Sequence, residues 1–200
     1  MNKSVQRNET REHLLATGEQ VCLQRGFTGM GLNEVLTLAA VPKGSFYYYF
    51  RSKEAFGVAL LERYFVNYLE QINQQLTLPS LPARQRLLAH FRSGQQLFAR
   101  QGRIMGCLGV KLSAEVCDLS EPMRDALQRG ASAIMAAYAH CLTEAAAEQP
   151  LLFNQTPAQL AQRCYLLWLG ASLQSKISRE PDSINLALST IEQWLNGPQF

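Results

Sequence analysis

The sequence predicts an all-α chain, and three observations carry that prediction. Apolar residues recur at three-to-four spacing in segment after segment. The prolines fall between those segments or in their first turns, never in their middles. No run alternates apolar and polar residues as a half-buried strand would.

The elements follow in order. Leu14, Leu15, Gly18, Val21 and Cys22 lie on one helical face and predict a helix from about Thr10 to Arg25, stopped by Gly26. Leu32 to Leu38 forms a short helix burying Leu32, Val35 and Leu36. A third begins at about Pro42 and runs through Phe50, because proline suits a first helical turn, where its missing donor is not needed. Ser52 and Glu54 mark the start of a long fourth helix, about 53–75. Further helices are expected at Ala83–Arg100, Met105–Cys117, Glu121–Glu148, Pro157–Ser178 and Pro181–Leu195. Breaks are expected at Pro79 and Pro82, Gln101-Gly102, 118–120, Pro150, Pro157 and Pro181.

Two hundred residues suffice for one compact protein or two small coupled domains. We expect a division into an N-terminal domain, residues 1–53, and a larger helical domain, residues 54–200, with the fourth helix linking them. No stretch approaches the roughly 20 apolar residues of a membrane span. The polar start MNKSVQRNETREH lacks the apolar segment of a secretory signal, so a cytoplasmic location away from membranes is expected. Five cysteines form no CxxC pair, and the three histidines make no metal-ligand spacing with them. Free thiols and no cofactor are therefore expected.

The net charge of +3 is compatible with nucleic acid without requiring it. The local pattern says more. A short helix, a tight turn and a second short helix can place that second helix in a DNA major groove. Lys43 can reach a phosphate or a guanine, Gly44 lets the backbone come close, and Ser45 with the hydroxyls of Tyr47, Tyr48 and Tyr49 supplies donors. Lys53 can anchor the adjacent DNA backbone. Phe46 and Phe50, at i and i+4, should face the core, but three consecutive tyrosines cannot all be buried on one narrow face.

The segment GFTGMGLNEVLTLAAVPKGSFYYYFRSKEAF resembles the helix-turn-helix of TetR-family repressors. The resemblance implies that Lys43, Gly44, Ser45, Tyr47 and Tyr48 lie at the DNA, with Tyr49 where the family commonly carries histidine. It also implies that Thr10 and Arg11 touch phosphates. Where relatives often begin the second helix with threonine, this chain has Gly31-Leu32, and Asn33 is the substitute contact. It further implies a homodimer that pairs through the last two long helices and binds a palindromic operator. Their excess of apolar residues, including Leu166, Leu173, Ile177, Leu186 and Trp194, is consistent with a symmetric four-helix interface.

Near Cys107, Arg103 and Lys111 stand one helical turn to either side, and glycines 106 and 109 remove bulk. Positive charge stabilises a thiolate, the form that attacks electrophiles and oxidants, although a cysteine in such a place can equally be a small core residue. The blocks TREHLLATGEQVCLQRGFTGMG, GCLGVKLSAEVCDLSEPMR and LWLGASLQSKISR resemble electrophile-sensing members of the same family. That likeness implies a repressor of detoxification genes that releases DNA when reactive electrophiles or chlorine oxidants modify Cys107, with Lys176 as the partner of that thiol. Cys117 carries both a secondary reactive reading and a packing one. Cys22, Cys141 and Cys164 read as core residues. Two alternatives stay open: induction by a noncovalently bound apolar ligand, and a small thiol enzyme, against which no histidine lies near Cys107 in sequence.

Overall fold

The computed structural model describes residues 3–101, 107–151 and 155–196, with side chains described over 7–100, 108–151 and 155–196. Among the described residues there are nine helices and no strand. They are α1 (Lys3–Arg25), α2 (Leu32–Leu38), α3 (Lys43–Tyr49), α4 (Lys53–Leu76), α5 (Ala83–Gln101), α6 (Cys107–Val116), α7 (Glu121–Glu148), α8 (Pro157–Ser178) and α9 (Asp182–Asn196). Expected and observed bounds differ by a residue or two, with two exceptions. Helix α1 starts at Lys3 rather than near Thr10, because nothing between Lys3 and Thr10 breaks a helix and Thr10 is not used as a cap. The expected start of α6 at Met105 lies outside the described residues. None of the helices is long and apolar enough to cross a membrane, and no group of side chains could hold a metal ion, among the described residues.

Packing groups the chain differently from a division at residue 53. One compact unit comprises Met1–Asn67 with Leu108–Gly130, and the other Tyr68–Cys107 with Ala131–Phe200.

The first unit is built on aromatic residues. Phe46 is fully buried, its ring 5.3 Å from Phe50 and 5.4 Å from Phe56, in tilted and edge-on contacts. Gly18 is glycine because a Cβ there would run into the Phe56 ring. Arg63 of α4 holds α1 through Glu12 at 2.8 Å and Glu19 at 2.6 Å. Helix α2 ends in a paired-carbonyl motif: Ala40 N–H donates to Thr37 O at 3.2 Å and Val41 N–H to Leu36 O at 3.0 Å. That geometry requires a left-handed residue, and Ala40 supplies it at φ 52° where glycine is usual.

In the second unit, Leu87, Phe91, Leu142, Ile184 and Ile191 are buried, and the Phe91 ring stands 5.0 Å from Trp168. Thr156 caps α8 reciprocally with Gln159, and Pro157 follows at the first turn. The Arg84 guanidinium, buried, donates to the carbonyls of Leu195, Gln149 and Pro150, closing the ends of α7 and α9. His90 is buried between Gln75 and Tyr138. Its Nδ1–H donates to Gln75 Oε1 at 2.7 Å, and its Nε2 accepts from the Tyr138 hydroxyl at 2.8 Å. Burial holds its pKa down at about 4, so the ring is neutral. Leu166, Leu173 and Ile177 of α8 and Leu186 of α9 stay exposed, an apolar face that this chain alone leaves uncovered.

Candidate nucleic-acid interface and sensor helix

Helix α3 occupies two turns, and its geometry follows from its ends. Pro42 precedes it in an extended conformation, φ −62° and ψ 146°, and Phe50 follows it extended at φ −133°. Over so short a helix Phe46 points inward with Phe50 beside it, while Lys43, Gly44, Tyr47 and Tyr48 are exposed and Ser45 and Tyr49 half-buried. Tyr48 is the most open of the three tyrosines, 64% exposed, and stacks edge-on against Tyr49 at 5.1 Å. A Cβ on Gly44 would meet nothing within 4 Å. Glycine there is not needed by the protein's own packing.

Asn33 and Lys43 line one open groove of about 330 Å³ with Thr37, Ala40 and Pro42, so the turn brings the two together. Arg11 lies with its guanidinium 5.5 Å from the Phe50 ring centre, on the same side as α3, and Thr10 beside it is half-buried. Lys53, expected to anchor the adjacent DNA backbone, also has partners within the chain. Its ammonium donates to Thr28 O at 3.3 Å and lies 5.0 Å from the Phe27 ring centre, on the α1–α2 turn. Ser52 caps α4, accepting from Ala55 N–H at 3.0 Å, as its sequence position implied.

A second group of residues converges on that same turn from α6. The Glu115 carboxylate accepts from Phe27 N–H at 2.9 Å, from Thr28 N–H at 2.5 Å and from the Thr28 hydroxyl. Partial burial works against its charged form, but the three hydrogen bonds, with Lys111 nearby, outweigh that and hold its pKa below the usual carboxylate value. Gly26, at φ +79°, leaves the space this carboxylate uses, since a Cβ there would collide with it. One turn earlier, Lys111 Nζ donates to Leu23 O at 2.8 Å, capping the C-terminal end of α1. The sequence places Lys111 one turn from Cys107, whose side chain lies outside the described residues; the Lys111 ammonium itself is bonded to the α1 carbonyl. No local signal could reveal these contacts, which join residues 87 and 88 positions apart.

The cysteines separate by environment. Cys22 and Cys164 are fully buried and Cys141 is 2% exposed. Burial pushes the thiols of Cys22 and Cys164 up to about 12 and that of Cys141 to about 11, so all three are protonated and unreactive near neutral pH. Cys22 Sγ lies 3.5 Å from Met30 Sδ, and Cys141 donates to Ala83 O at 3.3 Å. Cys117 is half-buried just past the end of α6. Cys107 is the first residue of α6; its side chain, with Arg103 and Gly106, lies outside the described residues. Lys176 is exposed in the last turn of α8.

Comparison with known proteins gives this geometry a context. Residues 14–60 match the bacterial regulatory proteins of the tetR family, and residues 83–191 match the tetracyclin repressor-like C-terminal domain. The chain is 51% identical over 198 residues, 99% of either chain, to the HTH-type transcriptional repressor NemR of Escherichia coli strain K12. It is 32% identical over 185 residues, 92% of this chain and 91% of the other, to the HTH-type transcriptional repressor DhaR of Mycobacterium sp. strain GP1. The crystal structure of the reduced form of E. coli NemR superposes with a TM-score of 0.88 at 50% identity, covering 96% of this chain and 100% of that one. The helix-turn-helix with its open reading face falls inside the matched N-terminal segment, and the chain belongs to the TetR family of DNA-binding transcriptional regulators.

Proposed function

We propose that this repressor binds a palindromic operator as a homodimer and releases it when Cys107 is modified by reactive electrophiles or chlorine oxidants, so that detoxification genes are expressed. The DNA part rests on the face formed by Lys43, Gly44, Ser45, Tyr47 and Tyr48, with Tyr49 at its edge and Thr10, Arg11 and Asn33 flanking it. Two such faces in a dimer would enter successive major-groove turns, roughly 34–36 Å apart. The open apolar residues of α8 and α9 supply a surface for the pairing.

The observation that carries the sensing part is the position of Cys107 in α6. It opens the helix whose last turn holds the α1–α2 turn through Glu115. A group added at the start of a packed helix changes how that helix can sit, and Glu115 and Lys111 would transmit the change to the reading head. Helix α6 is therefore the proposed transmitter, rather than the linking helix α4. Likeness to NemR over the whole chain supports the same reading. Three other cysteines are buried and held protonated, and Cys117 is half-buried, so none of these four competes strongly with Cys107 as the proposed trigger. Lys176 is the proposed partner of Cys107. Hypochlorous acid would convert the thiolate to a sulfenyl chloride, releasing hydroxide. The unprotonated Lys176 amine would then attack that sulfur, breaking the S–Cl bond, releasing chloride and losing a proton to close a reversible sulfur–nitrogen bond.

The test is a set of single-cysteine changes. Native protein treated briefly with N-ethylmaleimide should gain mass at Cys107 first, at Cys117 more slowly, and at the other three only in denaturant. Cys107→Ser should bind operator like the parent and no longer release it on treatment. Normal release by Cys107→Ser rejects this thiol as the trigger. Release by an apolar compound with no change in mass, not reversed by added thiol, favours a noncovalent inducer instead. Lys176→Met with an unaltered oxidant response removes Lys176 from the mechanism.

A further inference from the structure

Cations in the first unit fall into two groups. Most have a partner. Arg11 pairs with Glu12, Arg25 with Glu34, Arg63 with Glu12 and Glu19, Arg124 with Glu121 and Asp125, and Arg129 with Glu62. Lys53 and Lys111 donate to the carbonyls of Thr28 and Leu23. Among the described side chains of that unit, Arg7, Lys43 and Arg51 have neither a carboxylate nor a carbonyl partner. All three are exposed, and all three border α3. Lys43 opens that helix and Arg51 follows Phe50 just beyond its end. Arg7 reaches it from α1, its guanidinium 5.5 Å from the ring centre of Tyr48.

Within that unit, chance placement would scatter unpaired charge rather than gather it around one two-turn helix. A cation without an internal partner is also the one that can neutralise a phosphate and release its counterion without first breaking an ion pair. The Tyr48 ring restrains the long Arg7 side chain, which lowers the ordering cost of a contact made there. The unexpected beginning of α1 at Lys3 has its use here: had the helix started at Thr10, Arg7 would precede it and could not be carried to Tyr48 on a rigid backbone.

We propose that Arg7 and Arg51 are DNA-backbone contacts, phosphate anchors on either side of the α3 reading helix, with Tyr48 positioning Arg7. The proposal rests on the DNA-binding function of the family and adds residues that its helix-turn-helix pattern does not assign. These contacts position the protein and carry no sequence information.

The test is the salt dependence of binding by the full chain, to duplex DNA from upstream of its own gene and to a scrambled duplex of equal length. Each phosphate contact contributes about 0.9 to the slope of log affinity against log salt. Arg7→Ala and Arg51→Ala should each reduce that slope by about 1.8 in a dimer. Both should weaken binding to the two duplexes in the same proportion, and Arg7→Lys should restore most of the slope. A folded Arg7→Ala protein with lowered thermal stability and an unchanged slope would show that the Tyr48 stack is structural only, and would overturn the proposal. Loss confined to the upstream duplex would overturn it too, because that is base reading. Failure of the parent protein to bind either duplex would refute the DNA-binding reading itself, a result distinct from both.

Discussion

Glu115, in the last turn of α6, accepts the backbone N–H of Thr28 at 2.5 Å, 87 residues away in the chain. With the Phe27 N–H at 2.9 Å, the two donors of the α1–α2 turn are satisfied by one carboxylate from a helix that begins at Cys107. Helix α2 starts with no side-chain cap on Gly31, so this turn is held from outside as well as by its own backbone bonds, such as Met30 N–H to Phe27 O at 3.3 Å. The placement of the α1–α2 turn thereby depends on where α6 sits.

Replacing that carboxylate tests the dependence. Glu115→Ala leaves the Phe27 and Thr28 donors to water and should cost about 1 kcal/mol, since the site is only partly buried. For a chain of this size the melting temperature should fall by about 2–4 °C. The face of α3 is untouched, so reduced protein should still bind operator. The ratio of its affinity before and after thiol modification should shrink by about 2–30-fold, read from paired binding titrations. An unchanged ratio would remove Glu115 from the transmission.

Gly44 separates stability from binding. A methyl there meets nothing inside the protein, and alanine is favoured over glycine in a helix by about 1 kcal/mol. Gly44→Ala should therefore melt higher and bind operator worse, by about tenfold if the backbone closes on the DNA. A gain in stability with full affinity would show that the DNA does not approach this point.

Ala40 is the reverse case. It holds a left-handed conformation at φ 52°, exposed and at the end of α2. Glycine removes the Cβ clash at some cost in unfolded-chain entropy, and the net gain expected is about 0.5–1 kcal/mol. Urea unfolding of Ala40→Gly should show the midpoint move up with the slope unchanged. A lower midpoint would mean that the left-handed turn is not strained.

His90 makes the second unit sensitive to acid. Its folded pKa of about 4 lies below the unfolded value near 6.5. The unfolded chain therefore takes up the proton first. The stabilising contribution is complete above pH 6.5 and is lost as pH falls towards 4, on the order of 3 kcal/mol in all. His90→Gln, which can still donate and accept between Gln75 and Tyr138, should flatten unfolding free energy against pH across that window. An identical pH profile in the variant would contradict the assignment.

How much of this was legible in the sequence differs by residue. The helices were, because Pro42, Pro157 and Gly26 punctuate them and the apolar period between is regular. So was the division of labour in α3: Phe46 and Phe50 sit four apart, and the tyrosines between them had to point elsewhere. The α8 capping box is a local signal too, since Thr156 and Gln159 stand at the required spacing, although only Pro157 was used to place that helix start. By contrast, Glu115 against Thr28, Lys111 against Leu23 and Arg84 against the carbonyl ends of α7 and α9 are long-range pairings of side chain with backbone. A backbone carbonyl or amide has no residue-type signature, so no spacing could reveal these contacts. Lys111 shows the consequence: its helical register with Cys107 was right, but its partner was chosen by the neighbouring helix.

The most direct test is a binding titration of the full chain on labelled DNA from upstream of its own gene, fully reduced and then after stoichiometric N-ethylmaleimide. The reduced protein should bind with salt-sensitive affinity, and modification should weaken it by about 5–150-fold, the range of ordinary allosteric couplings. Equal affinity in the two states, with modification of Cys107 verified by mass, would contradict the account.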